Sequence, residues 1–166
     1  MSPAKRTPRG PRVSAILLRI VALEGTLPDV TVTTLPTPEV RIDKKVIWTK
    51  QATSTADAPH LQFSSGEGRI VSMELTFDNS ADKTSVAPAV AALFAMTQID
   101  DMNSSEDRKR PPLLALRWTG DTLPDMKGVI EALSVRYVEF ATDGTPVKAQ
   151  AAVTFREASQ VSFKRP

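Results

Sequence analysis

From residue 13 onward most apolar positions recur with a period of two, the spacing of a strand with one buried face. Residues 70–77 place Val71, Met73, Leu75 and Phe77 on one side and Ile70, Ser72, Glu74 and Thr76 on the other. Residues 147–155 repeat the pattern more cleanly: Val147, Ala149, Ala151, Val153 and Phe155 alternate with Lys148, Gln150, Ala152 and Thr154. The partner predicted for this strand is 129–140, because Thr142-Asp143-Gly144-Thr145-Pro146 puts an Asp-Gly turn between two apolar runs. Leu133, Val135 and Tyr137 share a face there before Val138 and Phe140 take over, and that change of phase predicts a bulge near Val138. Further strands are predicted over 16–23, 29–34, 41–50 and 113–118, bounded by Gly25, Pro28, Pro36, Pro38, Gly120 and Pro124.

Residues 86–98 break the rhythm. Val86, Val90, Leu93, Phe94 and Thr97 fall at helical spacing in an alanine-rich stretch, with Ser85 placed to cap the start and Pro88 in the first turn. Residues 51–68 are rich in proline and serine and carry no predicted element; Gly66-Glu67-Gly68 reads as a turn into the strand that follows. Residues 100–110 read as a polar loop of both charge signs. The expectation is a mainly β domain with one helix over 13–166, preceded by a flexible basic tail at 1–12, with no internal repeat.

Composition narrows the picture in two places. The 166 residues are 41% hydrophobic and 24% charged, the profile of an ordinary globular domain. The net charge of +2 conceals an asymmetry: Lys5, Arg6, Arg9 and Arg12 carry +4, which leaves the rest of the chain slightly acidic. A basic groove for nucleic acid or a polybasic membrane face is therefore not expected on the body. The apolar run from Val13 to Leu18 is too short for a secretion signal, and Val86 to Ile99 is far short of the ~20 residues that cross a bilayer.

Candidate chemistry is sparse. There is no cysteine, hence no disulfide, thiolate metal site or thiol nucleophile, and the one histidine, His60, has no G-x-S-x-G elbow to serve. It reads as a loop or surface residue. Asp100, Asp101, Asn103, Glu106 and Asp107 offer oxygen ligands for a hard cation, but no EF-hand glycine accompanies them and Arg108, Lys109 and Arg110 follow at once. A self-neutralising solvated loop is the simpler reading. Gly66-Glu67-Gly68 lacks the third glycine and the lysine of a phosphate cradle. Trp48 and Trp118 offer a stacking platform for bases or sugars, or, more simply, lids over a β core. Neither catalytic residues nor a cofactor nor a metal is expected.

The stretch after residue 109 adds an ordered set of motifs. Arg110-Pro111-Pro112, a strand ending in Trp118-Thr119-Gly120, Lys127-Gly128-Val129-Ile130-Glu131-Ala132-Leu133-Ser134-Val135, and Asp143-Gly144-Thr145-Pro146-Val147-Lys148-Ala149 follow one another. Upstream lie Pro38-Glu39-Val40-Arg41-Ile42-Asp43-Lys44, Trp48 and Glu74-Leu75-Thr76-Phe77-Asp78. The series resembles the tube-like adaptor proteins of contractile injection systems and contractile phage tails, over about Arg19 to Glu157. It departs at Thr37, where relatives carry asparagine, at Ile42 or a neighbour, where they carry tyrosine, and in the threonine between Trp118 and Gly120.

The resemblance implies an antiparallel β-sandwich or barrel of the tail-tube type with one flanking helix, and six copies joined into a ring around a channel. Relatives often continue into a LysM-like module; the expectation here is the tube-like domain without it. The implied role is structural and non-catalytic: a ring at the baseplate between the spike or hub and the inner tube, assembled in the cytoplasm as part of a phage tail-like particle. Its partners would be itself, the inner tube or tube-initiator protein, the spike or hub, and baseplate or sheath proteins, with no specific nucleic acid and no membrane insertion. Trp48, Phe77, Asp78, Arg110, Pro111, Pro112, Trp118, Gly128, Asp143, Gly144 and Pro146 would be its structural motif residues. Asp100, Asp101, Glu106, Asp107, Arg108 and Lys109 would face a neighbouring ring. Lys148, Gln150, Thr154, Ser134 and Arg136 would line the bore. The alternatives are the main inner tube subunit, a nucleic-acid-binding module using the tail and residues 108–110, and a hydrolase built on His60 and acidic loop residues.

Overall fold

A computed structural model describes residues 16–33, 39–52, 57–99, 109–121 and 123–162. Nine strands and one helix follow in the order β1 Ile16–Ala22, β2 Val30–Thr33, β3 Val40–Asp43, β4 Val46–Gln51, β5 His60–Gly66, β6 Ile70–Asp78, α1 Ala87–Ala95, β7 Leu114–Trp118, β8 Met126–Phe140 and β9 Pro146–Glu157. A short 3-10 turn, Thr119–Asp121, follows β7, with Gly120 at φ 75°.

Seven strands form one antiparallel sheet in the order β2-β1-β7-β8-β9-β6-β3, and β4 and β5 pair only with each other. The sheet curls until β2 approaches β6 without closing into a barrel, and α1 packs beside β2. The mainly β fold with one helix expected from the sequence is the fold observed.

β6 and β9 run in unbroken register from Ile70 opposite Arg156 to Asp78 opposite Lys148. Their shared apolar side points inward: Val71, Leu75, Ala149, Ala151, Val153 and Phe155 are all buried. Each fully buried large aliphatic or aromatic side chain contributes about 1.5–3 kcal/mol, so this double row dominates the core. Leu18 and Ile20 of β1, Leu114 and Leu116 of β7, and Val90 and Leu93 of α1 complete it. No polar or charged side chain is buried among the described residues.

The hairpin β8–β9 turns at Asp143-Gly144 as its sequence requires. Gly144 stands at φ 87°, the Ala141 amide donates to the Thr145 carbonyl at 2.8 Å, and the Asp143 carboxylate accepts from the Thr145 amide at 3.0 Å. The ladder skips at Val138, between Tyr137 and Glu139, where the phase change predicted a bulge. Gly128 is needed for a different reason. A Cβ there would sit 2.0 Å from the Arg156 carbonyl oxygen, so only glycine lets β9 cross so near.

Four expectations are corrected. The single strand 41–50 is two strands, broken at Lys44-Lys45, whose halves enter different sheets. The stretch 51–68 contains β5, and His60 lies exposed on that strand rather than in a loop. Trp48 is not a core lid: it is 53% exposed, whereas Trp118 is buried. The helix is shorter than 86–98, and its buried side is Val86, Val90, Leu93 and Met96, with Phe94 exposed. The N-cap position is Val86, without a side-chain cap, while the Ser85 hydroxyl just before it accepts from the Ala87 amide at 3.1 Å.

Candidate functional site

Three surfaces and a set of joints hold most of the residues that the sequence singled out. The joints come first. Arg110 opens the approach to β7, and its guanidinium is clasped by Glu24 at 2.7 and 3.0 Å, while the Leu113 amide donates to the same carboxylate at 3.2 Å. The clasp fixes the end of β1 against the start of β7, and desolvation at Arg110 is outweighed by its carboxylate partner, which raises its pKa. It also withdraws Arg110 from the basic cluster that a nucleic-acid reading needs. Pro111 and Pro112 lie between this clasp and β7, where the Pro111 carbonyl accepts from the Arg110 guanidinium at 3.2 Å.

A second clasp joins β9 to β6. The Glu157 carboxylate accepts from the Arg69 amide at 2.8 Å and from its guanidinium at 2.7 and 3.1 Å, tying the end of β9 to the start of β6. These donors pull the Glu157 carboxyl down to about 2. At the far end Asp78 accepts from the Ser80 amide and hydroxyl and pairs with Lys148 at 3.2 Å, which holds its carboxyl below the usual range. The Pro146 carbonyl accepts from the Val86 amide at 2.9 Å, anchoring α1 to the start of β9. Phe77 and Trp118 are buried at the ends of β6 and β7, and the Trp118 amide donates to Asp125 at 3.2 Å. The motif residues are thus spread over both ends of the sheet, most of them as joints of the fold; Trp48, Asp78, Asp143 and Gly144 are the exposed ones, and of these Trp48 is the large apolar side chain.

The first surface is the open face of β8, β9, β6 and β3. Ser134 opposite Ala152, Arg136 opposite Gln150, Ser72 opposite Thr154 and Thr76 opposite Gln150 give it a polar surface. Its charges are mostly engaged with one another. Arg156 chelates Glu131 at 2.6 and 3.1 Å, Lys148 holds Asp78, Arg41 holds Asp43 at 3.0 Å, and Arg136 donates to Gln150. The expected bore residues Lys148, Gln150, Thr154, Ser134 and Arg136 all fall here, on one face.

The second surface is the β4–β5 arm, in which every residue of both strands is exposed. One side carries Trp48, Lys50, Leu61 and Phe63, with the Trp48 and Phe63 rings edge to face at 5.7 Å. The other carries a polar ladder, Thr49 with Ser64 and Gln51 with Gln62. A period-two signal at Leu61 and Phe63 was present in the sequence, masked by the serines and proline around it. The third surface is the β8–β9 tip, where Tyr137, Val138 and Phe140 are exposed.

An open cleft of about 630 Å³ lies at the root of the arm, lined by Lys44, Arg69, Asp125, Lys127 and Glu157 among others. Its Arg69 and Glu157 are committed to each other, and it offers no nucleophile paired with a base. Among the described residues no three His, Asp or Glu side chains stand close enough to hold a metal ion. Asp100, Asp101, Glu106, Asp107 and Arg108 lie outside the described residues, as does the tail 1–12; Lys109 is exposed.

Comparison with known families decides the identity of this assembly of joints and open faces. The profile of the contractile injection system tube proteins matches residues 26–165. The chain belongs to that family. It is a structural tube protein of a contractile injection system or phage tail, and so a part of a phage tail-like particle. Among solved structures, the tail of an empty GTA particle refined with C6 symmetry resembles it with a TM-score of 0.44 and 14% identity. The similarity spans 90% of this chain and 96% of that one. No curated protein sequence matches the tube protein. No helix among the described residues is long and apolar enough to cross a membrane.

Proposed function

We propose that residues 13–166 form one tube-type unit, that six copies close into a ring, and that the ring sits at the baseplate as a non-catalytic adaptor between the spike or hub and the inner tube. The observation that carries this reading is the open face of β8, β9, β6 and β3. A sheet whose second face is polar over four strands, with its charges largely paired internally, is suited to wetted contact with passing cargo rather than to burial or tight binding. The sheet also ends in two short unpaired edges, β2 and β3, of four residues each. Cyclic association completes such edges with copies of the same chain, which removes an aggregation hazard and closes the ring.

Family membership supports a tube-like role, and the motif order resembling the adaptor branch favours the baseplate position over the main inner tube. Cytoplasmic assembly of the particle is part of the same reading. The tests are direct. Purified protein viewed in negative stain should show sixfold rings with a central hole, and a strictly monomeric protein at all concentrations would sink the reading. Quantified band intensities of intact particles should give about one ring's worth of copies; many rings' worth would make this the inner tube subunit instead.

A further inference from the structure

Two exposed apolar patches stand at opposite ends of the sheet. The arm springs from the end where β9 finishes: the Glu67 amide donates to the Lys45 carbonyl, and Gly68 lies against the Glu157 carbonyl. The aromatic tip lies at the other end, where β9 begins at Pro146. The 12 residues of β9 separate them by about 35 Å, so the two patches of one copy cannot meet.

The patches are complementary in kind. The arm presents Trp48, Leu61 and Phe63 with Lys50 on the same side and Lys44 and Lys45 at its root, and no carboxylate occurs from residue 44 to 52. The tip presents Tyr137 and Phe140, whose rings lie 6.2 Å apart, beside Glu139. Lys148, opposite Glu139, is paired with Asp78 at 3.2 Å, and Lys83 faces Asp143 at the turn, so the carboxylate beside the aromatic pair is Glu139. A two-stranded ribbon with one apolar side is marginal in water by itself and gains most from being covered.

We infer that the β4–β5 arm of one copy docks on the β8–β9 tip of a second copy, Trp48 and Phe63 packing against Tyr137 and Phe140 with Lys50 steered by Glu139. The contact is heterologous: donor and acceptor differ, so it repeats head to tail from copy to copy. The inference rests on the ring reading, since both need self-association, and it adds which surfaces meet.

The chain has no cysteine, so cross-linking reports the contact without background. Leu61→Cys and Val138→Cys alter exposed positions beside the aromatic anchors and leave those anchors in place. Full-length preparations of each, mixed and oxidised, should give a covalent dimer that neither gives alone, and a chain carrying both should give a ladder. Trp48→Ala should weaken self-association roughly 30-fold or more, as removal of an interfacial aromatic anchor does, and leave the melting temperature of the dissociated chain unchanged. Assembly of the wild-type protein with no mixed cross-link, or with Leu61→Cys linking only to itself, overturns this contact and leaves the ring standing. Failure of the wild-type protein to associate at all overturns both. Capture of a different protein by the arm in intact particles, with no arm-to-tip link, likewise overturns it.

Discussion

β6 with β9, and β4 with β5, are both antiparallel pairs that alternate apolar and polar residues, yet every second residue along β6 and β9 is on the buried side and none in β4 or β5 is. The first pair sits inside a seven-stranded sheet, flanked by β8 and β3, and packs into one core with residues of β1, β7 and α1. The second projects from the end of that sheet, and none of the described residues buries it. Alternation therefore reports that a strand has two unlike sides, and says nothing about what covers the apolar one. In the sheet the cover is intramolecular and stabilises the fold; on the arm the inferred cover is a second copy.

Substitutions can break that contrast. Phe155→Ala, in the core row, should cost about 3–5 kcal/mol and be read as a large drop in the urea midpoint; a cost near that of a surface change would mean the row is not the core. Gly128→Ala forces a Cβ onto the Arg156 carbonyl, so β9 must shift, at a cost of about 3 kcal/mol by thermal melting; a silent variant would refute the close crossing.

Glu157→Gln removes the clasp beside the arm's root and should cost about 1–2 kcal/mol at pH 7. Because the Glu157 carboxyl is lowered to about 2 from an ordinary value near 4.5, the folded chain binds this proton less readily than the unfolded one. Its contribution is thus fully present above about pH 4.5 and lost as the pH falls towards 2. The stabilities of wild type and variant should converge over that window, and parallel curves would show that the clasp contributes nothing. The smallest effect belongs to the arm: Trp48→Ala should change the stability of the dissociated chain by no more than about 0.5 kcal/mol. A loss of several kcal/mol there would mean that the arm is part of the core after all.

How legible the fold was depended on range. β6, β8, β9 and the Asp143-Gly144 turn were readable because a strand's two faces and a tight hairpin are set within a few residues, and the skip at Val138 showed as a local change of phase. The motif order that resembles the tube family was equally local. The break at Lys44-Lys45 was not readable: both halves have strand-like sequence, and only pairing with β6 or with β5 separates them. Nor was the role of Arg110 or Glu157, whose partners Glu24 and Arg69 lie 86 and 88 residues away. Phe94 proved exposed because the buried face runs through Val86, Val90, Leu93 and Met96, where Met96 keeps helical backbone at the end of α1.

The amino-acid order by itself determined the class of structure, the strand faces, the hairpin turn and the absence of thiol chemistry, because periodicity, backbone freedom at glycine and side-chain chemistry are properties of neighbouring residues. Only the tertiary structure decided which apolar faces are covered. It showed Trp118 sealed into the core and Trp48 left on an arm, and it gathered the polar residues of β8, β9, β6 and β3 onto one open surface. Burial depends on what arrives from distant parts of the chain, and so does the choice between a residue that stabilises one copy and one that joins two.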